Sequence, residues 1–153
     1  MMRSLSFGLF FLSLFFQSAD AMSYQTDIRA DSDEIYAAAL EALESYGIEK
    51  ADATDKTIET KWITDQSERK RSFLLFKTVK KFERKYQMKV NITEGDRFTH
   101  VSVISTFLFR SADASIQTPW RALKTTYEDS SLEKQLFTKI LAQAEYRRTH
   151  PRQ

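Results

Sequence analysis

Residues 82–110, FERKYQMKVNITEGDRFTHVSVISTFLFR, decide the fold. Phe82, Tyr86, Met88, Val90 and Ile92 fall on one side of an extended chain, and Glu83, Lys85, Gln87, Lys89 and Asn91 fall on the other. A period of two marks a strand buried on one face, because successive side chains point to opposite sides of a sheet. Glu94-Gly95-Asp96 supplies a tight turn. Residues 97–110 then return with Phe98, Val101, Val103, Ile104, Phe107, Leu108 and Phe109. The stretch is a long antiparallel hairpin. Its apolar phase shifts between Val103 and Ile104, where a bulge or a strand end covered on both sides is expected.

Upstream, residues 24–29 read as a first strand with Tyr24, Thr26 and Ile28 on one side. Asp31 is placed to cap a helix, with Glu34 three residues on completing a capping-box-like pair. Ile35, Ala38, Ala39, Ala42, Leu43 and Tyr46 form one helical face, and Gly47 stands where a left-handed C-terminal cap is wanted. Residues 48–53 and 57–64 then form a hairpin around the turn Thr54-Asp55-Lys56. Residues 65–71 are polar and charged and read as a loop. Phe73-Leu74-Leu75-Phe76 reads as one more core strand or, if exposed beside basic neighbours, as an apolar patch marking a partner or membrane surface.

Downstream, residues 111–120 read as a loop in which Trp120, after Pro119, seals the end of the core, with anchoring of an interface as the other reading. Ser130 precedes Glu133 as a second capping box. Leu132, Leu136, Phe137, Ile140, Leu141 and Ala144 make an apolar stripe, and Arg147 and Arg148 suit the negative end of that helix. Residues 149–153 are expected to fray. The order of elements predicts an α+β domain, an antiparallel sheet of about five strands with two helices packed on one face.

The first residues carry an address. Arg3 supplies a positive n-region, Leu5 to Phe16 an apolar h-region, and Ala19-Asp20-Ala21 small residues at a cleavage site. Residues 1–21 therefore read as a signal peptide, and residues 22–153 as one domain exported to the periplasm or beyond. The apolar run is shorter than the roughly 20 residues that a spanning helix needs. The chain has no cysteine, so neither acylation nor disulfides are open to it.

The order of elements, namely the strand ending near Ile28, the Ser32 to Gly47 helix, the Ile48 to Trp62 hairpin and the closing Leu132 to Ala144 helix, resembles the helix-grip domains of BamC-like outer-membrane assembly lipoproteins. That resemblance implies a binding role in assembly of the cell envelope. The chain departs from the family in lacking the acylated cysteine.

Catalytic equipment is thin. His100 and His150 are the only histidines, too few for a zinc site, and no thiol is present. Beyond the leader the glycines are Gly47 and Gly95, each explained by a cap or turn, so no phosphate-cradling loop is expected. No cofactor, metal or enzymatic activity is expected, and Asp31, Asp33 and Glu34 read as charges that complement the helix dipole. With 23 Lys and Arg against 21 Asp and Glu, net charge gives no case for nucleic acid.

The basic residues are nevertheless clustered: Arg69, Lys70, Arg71, Lys77, Lys80, Lys81 and Arg84 form the candidate partner-binding set. An envelope protein partner is the leading expectation, with anionic lipid or lipopolysaccharide as another ligand of the same charges. Lys85 and Lys89 read as solvating the outer strand face and guarding an edge. A second function class is a lipophilic-ligand binder whose pocket is lined or filled by Phe98, Phe107, Phe109 and Phe137.

Overall fold

The computed structural model describes residues 21–73, 76–112, 118–122 and 131–150, without the side chains of residues 21, 22, 67, 69–73, 76–78 and 80. The residues read as the leader up to position 20, together with Leu74, Leu75, Ser130 and the last three residues, lie outside that range. Six strands and two helices follow in the order β1 (Ala21–Ile28), α1 (Ser32–Glu44), β2 (Ile48–Asp52), β3 (Thr57–Thr60), β4 (Ile63–Phe73), β5 (Phe76–Glu94), β6 (Thr99–Ser111) and α2 (Ser131–Thr149). The sheet is antiparallel throughout and runs β1-β6-β5-β3-β2, with β4 also on β5. The fold is α+β, as expected.

Helix α1 starts where its cap dictates. The Asp31 carboxylate accepts the backbone N–H groups of Asp33 and Glu34 at 2.9 and 3.1 Å, using two donors that a helix start leaves without partners. Its end is set by Gly47 at φ +76°, a conformation that any Cβ disfavours. At the other tight turn the constraint is space: a Cβ on Gly95 would lie 2.8 Å from the carbonyl oxygen of Phe98, which accepts the Gly95 N–H at 2.9 Å.

The core lies between the helices and one sheet face. Ile35, Ala38, Ala39, Ala42 and Leu43 of α1, and Leu136, Phe137, Ile140 and Ala144 of α2, meet Tyr86, Met88, Val90 and Ile92 of β5 and Val101, Val103 and Phe107 of β6. Tyr24 of β1 joins them, its ring 5.3 Å from that of Phe137. The β5–β6 register runs unbroken from Phe82↔Ser111 to Glu94↔Thr99. No bulge falls at Val103; instead Ile104 is half-buried on the opposite face.

Several expectations are corrected. Residues 65–71 are strand, paired with β5 along the whole of β4. Residues 57–64 are not one strand: β3 ends at Thr60, and β4 resumes at Ile63 on the same edge of β5. At that break the buried Thr60 hydroxyl accepts the Met88 N–H at 3.0 Å, replacing a ladder carbonyl, and the Lys61 N–H turns to the Gly47 carbonyl at 2.9 Å. The second strand stops at Asp52 because its carboxylate takes the N–H groups of Thr54 and Asp55 into a turn.

Phe73 closes β4 and Phe76 opens β5 as the last registered pair of that hairpin, so they add no separate strand to the sheet. Lys85 and Lys89 guard no edge, since β5 has β6 on one side and β3 and β4 on the other. Helix α2 runs through Thr149, whose hydroxyl donates to the carbonyls of Glu145 and Tyr146. Its stripe also differs from the expected one. Leu141 is exposed, and Glu133 is fully buried with no hydrogen-bond partner for either carboxylate oxygen.

Candidate functional site

Among the described residues both helices lie on one face of the sheet, and on the other, near the end of β6, the two tryptophans of the chain converge. Trp62 follows the break between β3 and β4. Trp120 is held by a bridge at the opposite side of the sheet, where Arg121 and Phe109 exchange both backbone hydrogen bonds at 2.8 and 2.9 Å. Between them stands Lys85 of β5, its Nζ 4.9 Å from the Trp62 ring centroid and 5.0 Å from that of Trp120. The Arg110 guanidinium lies 4.6 Å from the Trp120 centroid and pairs with Glu83. Each cation is held at an indole face by the ring quadrupole.

The plate is open to solvent: Trp62 is 39 % exposed, and Trp120 is half-buried rather than a plug of the core. Trp120 was expected to seal the core end. The register explains its actual place, because Arg121 aligns with Phe109 of the helix-covered face and so puts Trp120 beside Arg110 on the other.

The basic candidate set divides between two places. Arg84 lies on the core side of β5, its guanidinium donating to both carboxylate oxygens of Asp65 at 2.9 and 2.5 Å and resting 5.5 and 5.6 Å from the Tyr86 and Phe107 ring centroids. Two parallel N–H···O bonds and two ring faces fix this side chain as part of the core rim. Burial and the nearby Asp65 carboxylate hold the Tyr86 phenol above the ordinary tyrosine range.

Arg69, Lys70, Arg71, Lys77, Lys80 and Lys81 lie farther out, in a two-stranded ribbon. Strand β6 pairs with β5 only from Phe82 onward, and the Ala112 N–H reaches the Lys81 carbonyl at 3.1 Å. Among the described residues, 76–81 are registered only with 68–73, a paired length of about 20 Å at ~3.3 Å per residue beyond the last β5–β6 pair. Lys81 is exposed, 3.9 Å from the Glu68 carboxylate.

The other residues singled out from the sequence are accounted for locally. His100 contacts Asp27 at 2.7 Å on the helix-free face, and no cluster of three metal-ligating side chains occurs among the described residues. A groove of about 840 Å³ runs between the helices, but its charges are matched by Glu41 with Arg147 and by Glu34 with Arg148. Phe107 stacks on Phe109 with ring centroids 6.4 Å apart, whereas Phe98 is exposed at the β5–β6 turn beneath Arg29. The phenylalanines expected to act together are thus split. Among the described residues no helix is long and apolar enough to cross a membrane.

No protein-family model and no curated protein matches the sequence. Solved structures do match. A DUF4468 family protein of Bacteroides ovatus is 15 % identical, with a TM-score of 0.45, over 82 % of this chain and 80 % of its own. A TBP-like protein of Parabacteroides distasonis is 16 % identical, with a TM-score of 0.46, over 82 % and 92 %. TTHA0849 from Thermus thermophilus is 13 % identical, with a TM-score of 0.30, over 84 % and 96 %. The chain's own architecture, an antiparallel sheet carrying two helices, is compatible with a helix-grip arrangement.

Proposed function

We propose that the chain is a non-enzymatic accessory domain of the periplasm that captures a partner protein on the helix-free face of its sheet. The observation that carries this reading is the convergence of Trp62 and Trp120 on Lys85, beside Arg110. Tryptophan and arginine dominate the energetic centres of protein interfaces, and an exposed indole offers large contact area at little entropic cost. The cations beside them suit an acidic partner surface. Assembly of the outer membrane is the process that the BamC-like order of elements implies.

Photocrosslinking in intact cells tests the reading, with the probe at Gln87 or Thr106, a registered pair beside the plate. A discrete protein adduct that disappears in the folded variant W62A/W120A is the expected result. Adducts unchanged by that double substitution, or none, overturn it.

A further inference from the structure

The ribbon is a separate feature. We propose that its outer end docks on the surface of an anionic phospholipid bilayer, through the basic residues 69–71, 77, 80 and 81 and the pair Phe73 and Phe76. This goes beyond capture of a protein on the sheet face and does not depend on it.

Three observations support the proposal. The first is reach: the pairs from Glu68↔Lys81 to Phe73↔Phe76 lie beyond the point where β6 leaves β5, so among the described residues the outer hairpin is paired only with itself. The second is charge. Residues 68–81 hold six lysines and arginines and one carboxylate, Glu68. The acidic residues of α1 lie elsewhere, where Glu34 and Glu41 pair with the basic end of α2. The ribbon therefore presents a concentrated positive charge, and a leaflet rich in anionic headgroups is its electrostatic complement.

The third is the place of the apolar residues. Phe73 and Phe76 are registered opposite each other at the very end of the ribbon, with the basic residues behind them on both strands. Val79, within that basic stretch, is 49 % exposed. Two phenylalanines registered at the end of a basic ribbon suit the headgroup boundary, which accepts aromatic groups while lysine and arginine remain at phosphate level.

The test is co-sedimentation of the chain spanning residues 22–153 with vesicles of phosphatidylglycerol and phosphatidylethanolamine at a 1:3 ratio, in 0.15 M salt, with phosphatidylcholine vesicles as control. Binding to the anionic vesicles alone is expected, weakening as salt rises. Each cation near such a surface contributes about fivefold in affinity, so K77Q/K80Q loses about 25-fold. F73S/F76S binds more weakly and becomes more salt-sensitive, because only charge remains. Circular dichroism of both variants checks that the sheet is intact, and Y86F, altered in the core instead, binds as the parent does.

W62A/W120A sediments like the parent, which separates failure of this proposal from failure of the protein-capture reading. Equal binding to phosphatidylcholine, no sedimentation with phosphatidylglycerol, or full binding by K77Q/K80Q overturns the proposal. So does a protein adduct in place of lipid adducts when the photocrosslinking probe stands at Phe76 in cells.

Discussion

On one side of β5, Tyr86, Met88, Val90 and Ile92 meet helices supplied by the same chain; on the other, Lys85, Gln87 and Lys89 meet solvent and two tryptophans. Both sides follow one alternation. The covered side needs nothing further, since its apolar area is matched by α1 and α2. The open side carries two tryptophans that meet neither helix among the described residues. The contrast separates residues that hold the domain together from residues available for recognition.

The largest way to break it is a cavity on the covered side. Met88→Ala should cost about 2–5 kcal/mol, because Met88 is fully buried and its neighbours close only part of the space. Chemical denaturation measures the loss. A value below 1 kcal/mol would show that the covered face is not the load on which folding depends. Next comes Glu133, a carboxylate enclosed by the core without a hydrogen bond. Glu133→Met keeps the volume and removes an unpartnered polar group, so stability should rise by about 1–3 kcal/mol.

A smaller effect is expected at the boundary between the faces. Asp65→Ala leaves the Arg84 guanidinium without its paired carboxylate and should cost about 1–2 kcal/mol, discounted because both side chains are partly exposed. On the open side, the coupling of Trp62 with Lys85 in a double-mutant cycle should be only about 0.5–1 kcal/mol. On the proposed reading, W62A/W120A should lose partner capture while its circular dichroism stays that of the parent.

The last prediction concerns pH. Burial raises the Tyr86 phenol, and the hydrogen bond to Asp33 raises the Lys56 ammonium. Both groups hold their protons more tightly in the folded chain, so what they contribute is complete below their ordinary values near pH 10 and is lost as pH rises through the folded ones. The denaturation midpoint should fall on the alkaline side. Tyr86→Phe and Asp33→Asn should each flatten that fall, and an unchanged slope in both would refute the assignment.

Legibility in the sequence tracks burial. Helix α1 and the β5–β6 hairpin were readable because a core imprints periods of 3.6 and 2 on the residues that face it. Residues 65–71 read as a loop for the opposite reason: none of them is apolar, so no hydrophobic alternation marks the strand that β5 pairs with. Glu133 was hidden by its position, since a glutamate three residues after a serine reads as a cap. Of the plate, only Trp120 carried a local signal, as a loop tryptophan that can seal a core or anchor an interface. Its meeting with Trp62 depends on a strand break and a bridge at opposite sides of the sheet, which no local pattern records.

The pairing of β1 with β6 joins Ala21 to Thr106 and Ile28 to Thr99. A chain emerging from its N-terminus must therefore carry its first strand without a partner until some eighty further residues have appeared. The hairpins of the interior can zip as soon as they are made, while closure of this last seam waits for a long loop to be gathered. Refolding should show a fast phase for the β5–β6 hairpin and a slower one for protection of the Tyr24 and Thr26 amides, the order that contact separation imposes.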